Sequence, residues 1–196
     1  MQLVFATQNP GKLRELRALV QPLGIEVRSM AEAGLRTQAD EVGTSFGQNA
    51  LIKARATALA IRGWALADDS GLCVDALAGA PGIESARWSG GDDAANNALL
   101  IQKLAGIPTE RRAAQYRCAL ALCDAAGEQF LVEAQVEGRI TEAPRGTNGF
   151  GYDPYFEIPA WGKTFGEATA AQKEEVSHRA RAFRLLMPVL RVLSEG

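Results

Sequence analysis

The sequence is short of several things, and each shortage argues against a class of function. Its 196 residues include only three cysteines, Cys73, Cys118 and Cys123, with no C-x-x-C spacing. An odd number of scattered thiols argues against a disulfide framework and against a structural zinc site. It fits free thiols in a reducing cytoplasm. Neither sign of charge dominates: 21 Lys and Arg stand against 23 Asp and Glu, a net charge of -2. That balance disfavours a protein whose main ligand is nucleic-acid backbone, while leaving room for a local basic pocket. No apolar run is long enough to span a bilayer. The opening M-Q-L-V-F-A-T-Q-N-P lacks the basic start and long apolar stretch of a secretory signal. There is one histidine, His178, and no Ser/His/Asp grouping assembles around it. The patterns G-x-x-x-x-G-K-[ST], G-x-G-x-x-G and an early D-x-D are missing too. No internal repeat or linker marks two independent domains.

What is present is an ordinary globular composition, 47% hydrophobic and 22% charged, enough for one substantial core or two small lobes. Leu3 to Ala6 reads as a short buried strand, and T-Q-N-P-G-K as a turn. Leu13, Leu16, Val20 and Leu23 recur at helical spacing, Gly24 ends that helix, and Ile25 to Val27 reads as a second strand. This β-α-β opening predicts an α/β protein. A polar link from Thr37 to Thr44 leads to Ser45-x-x-Gln48, a capping-box pattern, and a helix that Gly63 stops. Trp64 to Ala67 is the strand predicted to deliver Asp68 and Asp69 into a Ser-Gly turn. Asp75 to Gly91 reads as a loop and Asp92 to Leu104 as a helix. Ala114 to Asp124 and Glu128 to Thr141 alternate like the arms of a hairpin. From Thr169-x-x-Gln172 the chain reads as helical, with a kink or break at Pro188.

Four stretches carry chemistry. In T-Q-N-P-G-K, Thr7 to Lys12, a strand-to-helix turn turns helix N–H groups and the positive dipole end toward an anion, with Lys12 adding charge. The plainer reading is a capped turn with a solvated lysine. In A-D-D-S-G, Asp68 and Asp69 are neighbours on an extended strand and so face opposite sides. A carboxylate beside a phosphate site suggests Mg²⁺, which takes one or two carboxylates plus substrate oxygens, and Asp40 or Glu41 could supply the second. The plainer reading is an Asp-rich turn. In G-T-N-G-F-G-Y-D, Gly146 to Asp153, glycines permit close approach of backbone to a ligand, and Phe150 and Tyr152 offer rings to a base; otherwise this is a loop with two core aromatics. Lys173 and Ser177-His178-Arg179 gather hydrogen-bond donors near a helix start, although a lone histidine is more often structural.

Taken in order, these stretches resemble the inosine triphosphate pyrophosphatase family, the XTP/dITP diphosphatases. The matching runs are T-x-N-x-G-K at Thr7 to Lys12 and T-S-F-x-x-N-A-x-x-K-A at Thr44 to Ala54. They continue with A-D-D-S-G-L-x-V-D-A-L-x-G-x-P-G at Ala67 to Gly82 and S-A-R-W-S-G at Ser85 to Gly90. The last are G-F-G-Y-D-P at Gly149 to Pro154 and S-H-R at Ser177 to Arg179. The resemblance implies a single α/β domain over residues 1–196, elongated and two-lobed around a long central mixed sheet flanked by helices, with the active-site cleft between the lobes. It implies Mg²⁺-dependent hydrolysis of ITP, dITP and XTP to monophosphate and pyrophosphate by a cytoplasmic homodimer that binds neither nucleic acid nor membrane. Family roles would put the triphosphate on Thr7, Gln8, Asn9, Pro10, Gly11 and Lys12. Asp69 would be the catalytic carboxylate and a metal ligand, Asp40 the second metal ligand, and Ser70 a substrate contact. Phe150, Gly151, Tyr152, Asp153, Lys173, His178 and Arg179 would hold the nucleotide, with donors from His178 and Arg179 pairing with O6 of the purine. Three positions depart from the family's habit: Asp40-Glu41 for a frequent Glu-Glu, Trp88 for a tyrosine, and Asn148 for a small residue. The competing reading is a nucleotide-binding module without catalysis, which has less need of an intact A-D-D-S-G.

Overall fold

A computed structural model describes residues 1–36 and 39–195. Thr37 and Gln38, at the start of the polar link, lie outside the described residues. Seven strands hydrogen-bond in the order β2-β1-β3-β4-β5-β6-β7. They are β1 (Gln2–Phe5), β2 (Glu26–Ser29), β3 (Ala65–Val74), β4 (Ala113–Cys123), β5 (Gln129–Ile140), β6 (Phe156–Ile158) and β7 (Lys163–Thr164). β1 pairs parallel with both β2 and β3, whereas β6 pairs antiparallel with β5 and β7, so the sheet is mixed. The helices are α1 (Pro10–Val20), α2 (Phe46–Ile61), α3 (Asp93–Lys103), α4 (Ala170–Val176) and α5 (His178–Glu195). The chain is therefore α/β, as its opening β-α-β pattern predicts.

Two compact units divide the chain. The first contains Met1–Asp69, Cys118–Ala134 and Arg179–Gly196; the second contains Ser70–Arg117 and Gln135–His178. In the first unit both faces of the strands are covered. One face buries Leu3, Phe5, Leu66, Leu120 and Leu122 with Leu16 and Val20 of α1 and Phe183, Leu186 and Leu190 of α5. The other buries Ala6, Ala65, Ala67, Ala119 and Ala121 with Ala50, Ala54 and Ala58 of α2. Large side chains fill the first interface, while alanines let α2 approach the strands closely, as close packing requires. The second unit has its own core, including Leu72, Val74, Leu100, Val136, Phe156 and Phe165.

Local structure departs from the sequence expectation in two informative places. β3 does not turn at Asp68-Asp69-Ser70-Gly71; it continues to Val74, so both aspartates lie within a strand. The apolar residues Leu72 and Val74 are completely buried and draw the chain onward as strand. Pro188 does not end the last helix, which runs to Glu195. Phe183, Leu186 and Leu190 are all completely buried on it, and burial at roughly 1.5–3 kcal/mol per large apolar side chain outweighs the roughly 3 kcal/mol that an interior proline costs. The break falls instead at Ser177, whose extended backbone (φ -60°, ψ 151°) closes α4. That makes His178 the first residue of α5. The helix expected from Thr169 begins there, with Thr169 and Gln172 forming a capping box. At α2 the Ser45 side chain caps Gln48, but the Gln48 side chain returns to the Thr44 N–H.

Candidate active site

The first unit places Asp68 and Asp69 on opposite faces of β3, as the period of two demands. Asp68 shares its face with Leu66 and meets α1 and α5. Its carboxylate pairs with the Lys12 ammonium and, at 3.1 Å, with Nε of Arg179; the Cys118 thiol also reaches it, at 3.4 Å. Arg179 in turn pairs with Glu15. Burial alone would push the Asp68 pKa up, but Lys12 and Arg179 outweigh it and hold the group far below the usual carboxylate range.

Asp69 shares its face with Ala67 and meets α2. Lys53 Nζ lies 3.0 Å from Asp69 Oδ1 and 2.6 Å from Glu41 Oε1. The Asn49 amide donates to Asp69 Oδ2 at 3.3 Å, while its own oxygen accepts from the Gly43 N–H at 2.8 Å. Asn49 and Lys53 are one helical turn apart on the buried alanine face of α2, so both point at the strand. Here the balance is reversed. Burial raises the Asp69 pKa, Lys53 only partly offsets it, and the Glu41 carboxylate raises it further. Lys53 stays charged although burial opposes it, because Asp69 and Glu41 both favour the ammonium form.

The turn before α1 is built from its own side chains. Asn9 caps the helix, accepting from the Gly11 and Lys12 N–H groups at 2.8 and 3.2 Å, and Thr7 Oγ1 accepts from the Asn9 N–H. Two of the N–H groups that the sequence offers to an anion are thus already bonded, and the Lys12 ammonium is on Asp68 rather than solvated. Thr7, Gln8, Asn9 and Pro10 line one side of a cavity of about 650 Å³ whose other side includes Ser29, Met30, Leu35 and Arg36.

The second unit gathers the other predicted residues. Asp153 accepts from the Phe150 N–H at 2.9 Å and pairs with Lys173 Nζ at 2.7 Å. That ammonium also lies 4.7 Å over the Phe150 ring. Gly151, at φ +61°, is gripped from α3: Asp93 accepts its N–H and Asn97 donates to its carbonyl. Tyr152 is a core residue whose hydroxyl donates to the Ser85 carbonyl, the plainer of the two sequence readings for that ring. Half-buried Ser70 follows Asp69 along β3. His178 is buried with its imidazole stacked on Tyr116. Arg179, the adjacent residue, holds Asp68 through Nε and Glu15 through Nη1.

A family model described as the Ham1 family matches residues 3–189. The chain belongs to the Ham1 family. It is 44% identical over 191 residues to the Bacillus subtilis protein named dITP/XTP pyrophosphatase, covering 96% of each chain. It is 46% identical over 196 residues to the Streptomyces coelicolor protein of the same name, covering 98% of each. Among solved structures, the Staphylococcus aureus Ham1 protein superposes with a TM-score of 0.86 at 35% identity, covering 97% of this chain and 98% of that one.

Within this Ham1 chain, sequence reasoning assigned no role to Asn49, Lys53 or Tyr116. Asn49 and Lys53 had a signal: a polar pair at i and i+4 on an otherwise alanine-lined helix face. Tyr116 had none, being one aromatic in an alternating strand. Sequence reasoning also put Asp40 forward as a metal ligand with Glu41 as alternative. Glu41 pairs with Lys53, which also pairs with Asp69, while Asp40 is exposed. Asp69 and Glu41 are hard oxygen donors that share Lys53, two carboxylates on one ammonium. Among the described residues no three His, Cys, Asp or Glu side chains form a ready metal cage. Two carboxylates completed by substrate oxygens are what magnesium uses, so the residues fit that ion.

Proposed function

We propose that this protein hydrolyses non-standard purine nucleoside triphosphates, ITP, dITP and XTP, to the monophosphate and pyrophosphate, and so clears damaged purines from the nucleotide pool. The observation that carries this reading is Asp69: a buried carboxylate with a raised pKa, oriented by Lys53 and Asn49. Its setting is a Ham1 chain whose near full-length relatives bear the name dITP/XTP pyrophosphatase.

In this reading Asp69 accepts the proton of the water that attacks the α-phosphorus, a role that a raised pKa suits. Lys53 holds the carboxylate in place and keeps positive charge beside the negative charge that develops on the phosphate. Thr7 to Lys12 receive the triphosphate, with the Lys12 ammonium aimed by Asp68. Asp69 and Glu41 would hold Mg²⁺, with Asp40 the neighbouring alternative, and the bound ion would supply charge neutralisation along the phosphate chain. Phe150 to Asp153, Lys173 and Ser70 contact the nucleotide. His178 donates to O6 of hypoxanthine or xanthine; adenine presents an amino donor there, and an unmatched buried donor costs about 1–3 kcal/mol. Arg179 is the second cation on Asp68 and braces the carboxylate that aims Lys12; a donor from it to O6 is the family's role for that residue. The Ham1 resemblance supports a cytoplasmic homodimer, and among the described residues no helix is long and apolar enough to cross a membrane.

The test is turnover with Mg²⁺ of ITP, dITP, XTP, GTP and ATP, reading phosphate with and without added inorganic pyrophosphatase. Signal from ITP, dITP and XTP that needs the coupling enzyme is the expected outcome. Phosphate without it would move the attack to the γ-phosphorus, and no turnover at all would overturn the reading.

A further inference from the structure

We propose that Tyr116 is the positioning residue of the purine-binding end: its ring sets the plane of the His178 imidazole, and its hydroxyl holds Asp153. The inference rests on the nucleotide reading above and deepens it, by naming the side chain that organises base recognition. Tyr116 lies near the start of β4 with 7% of its surface exposed. Its ring and the imidazole of His178 are nearly parallel, 12° apart, with centroids separated by 4.8 Å. Phe156 and Phe165 pack the same ring, with centroids at 4.5 and 6.1 Å. The Tyr116 hydroxyl lies beside the Asp153 carboxylate and the Tyr152 N–H, both of which act on its acidity. Asp153 is the group that also takes the Phe150 N–H and the Lys173 ammonium.

One side chain therefore touches two parts of the second unit that are far apart in sequence, the first residue of α5 and the Gly-Phe-Gly-Tyr-Asp loop. The physical case has two parts. An imidazole that reads a purine oxygen must present its N–H in one direction, and a parallel ring packed against it restricts rotation about the side chain's own bonds. A hydroxyl bonded to a buried carboxylate is a charge-assisted donor. Burial and the nearby Asp153 charge keep the phenol protonated, so it remains a donor at any pH the enzyme meets. The two parts separate by substitution: Tyr116→Phe removes the hydroxyl and keeps the ring, while Tyr116→Leu removes both.

The experiment compares wild type and both variants by steady-state kinetics on ITP and ATP with Mg²⁺. In parallel it records the imidazole NMR signals of untagged protein, in which His178 is the only histidine. Tyr116→Phe is expected to raise the KM for ITP about tenfold, the size of one charge-assisted bond, with kcat and the ITP-to-ATP preference held. Tyr116→Leu is expected to lower that preference, also by about tenfold, and to shift the His178 signals as the ring current is lost, a shift that Tyr116→Phe does not show. Wild-type KM, preference and imidazole signals in both variants would overturn the inference while leaving the nucleotide reading intact. A wild-type protein without turnover of any triphosphate would overturn that reading, and this inference with it. If Tyr116→Leu does not fold, the KM of Tyr116→Phe decides: a tenfold rise supports the role, and no change rejects it.

Discussion

Two neighbouring carboxylates on one strand meet opposite fates. Asp68 and Asp69 are both buried, at 1% and 6% exposure, so desolvation presses on both. Asp68 faces two cations, Lys12 and Arg179, and titrates far below its usual range. Asp69 faces one, Lys53, which it shares with Glu41, and titrates above it. The difference is the number of cations per carboxylate, and it divides the labour. Asp68 is saturated and serves as an anchor between α1, α5 and β3. Asp69 is under-compensated, which suits it to accept a proton or a cation. Alternation along an extended strand delivers this contrast from two adjacent residues at no cost in chain length.

The comparison can be broken most sharply at Asp69. Asp69→Asn keeps the shape and removes the base, so turnover of ITP should fall by roughly 10²–10⁴-fold while the thermal midpoint stays close to wild type. Pyrophosphate release alongside calorimetric unfolding reads both, and a variant that keeps its turnover would remove Asp69 from the chemistry. The opposite pattern belongs to Asp68. Asp68→Ala strands the Lys12 and Arg179 charges and should cost about 3 kcal/mol of stability, on the order of 10 °C in Tm for a chain of this size. The sign of its pH dependence follows from the depressed pKa. Stability from Asp68 is fully present above the unfolded value of about 3.9 and is lost as pH falls toward the folded one. The alanine variant should therefore lose less stability than wild type on acidification, as urea titrations across that range would show.

The smallest effect sharpens the contrast rather than breaking it. Glu41 raises the Asp69 pKa by like charge and by drawing on Lys53. Glu41→Gln should therefore move the acid limb of the kcat/KM profile to lower pH, toward the ordinary aspartate range. An unmoved limb would mean that burial alone sets the Asp69 pKa. Because Glu41 is also a proposed metal contact, the profile is read at saturating Mg²⁺.

Much of the frame was legible without coordinates, because it depends on near neighbours in sequence. The β-α-β opening, the long hairpin, the helix start at Thr169 and the opposed faces of Asp68 and Asp69 follow from periodicity and turn chemistry. The ordered motifs also pointed to the family that the full-length match establishes. Local pattern was less able to say how far an element runs. The turn expected at Ser70-Gly71 became strand because Leu72 and Val74 had a core to enter, and Pro188, where a kink or break is expected, does not break α5, which buried side chains hold.

The sequence by itself therefore determined most of the helices, the longer strands and the opposed faces of Asp68 and Asp69, since each is settled by interactions spanning a few residues. Only the tertiary structure decided the electrostatics. It set Lys12 and Arg179 against Asp68, Lys53 and Asn49 against Asp69, Glu41 rather than Asp40 beside Lys53, and Tyr116 beneath His178. These partners come from segments distant in the chain, and a pKa or a ring stack depends on distances of a few ångströms that no spacing in sequence encodes.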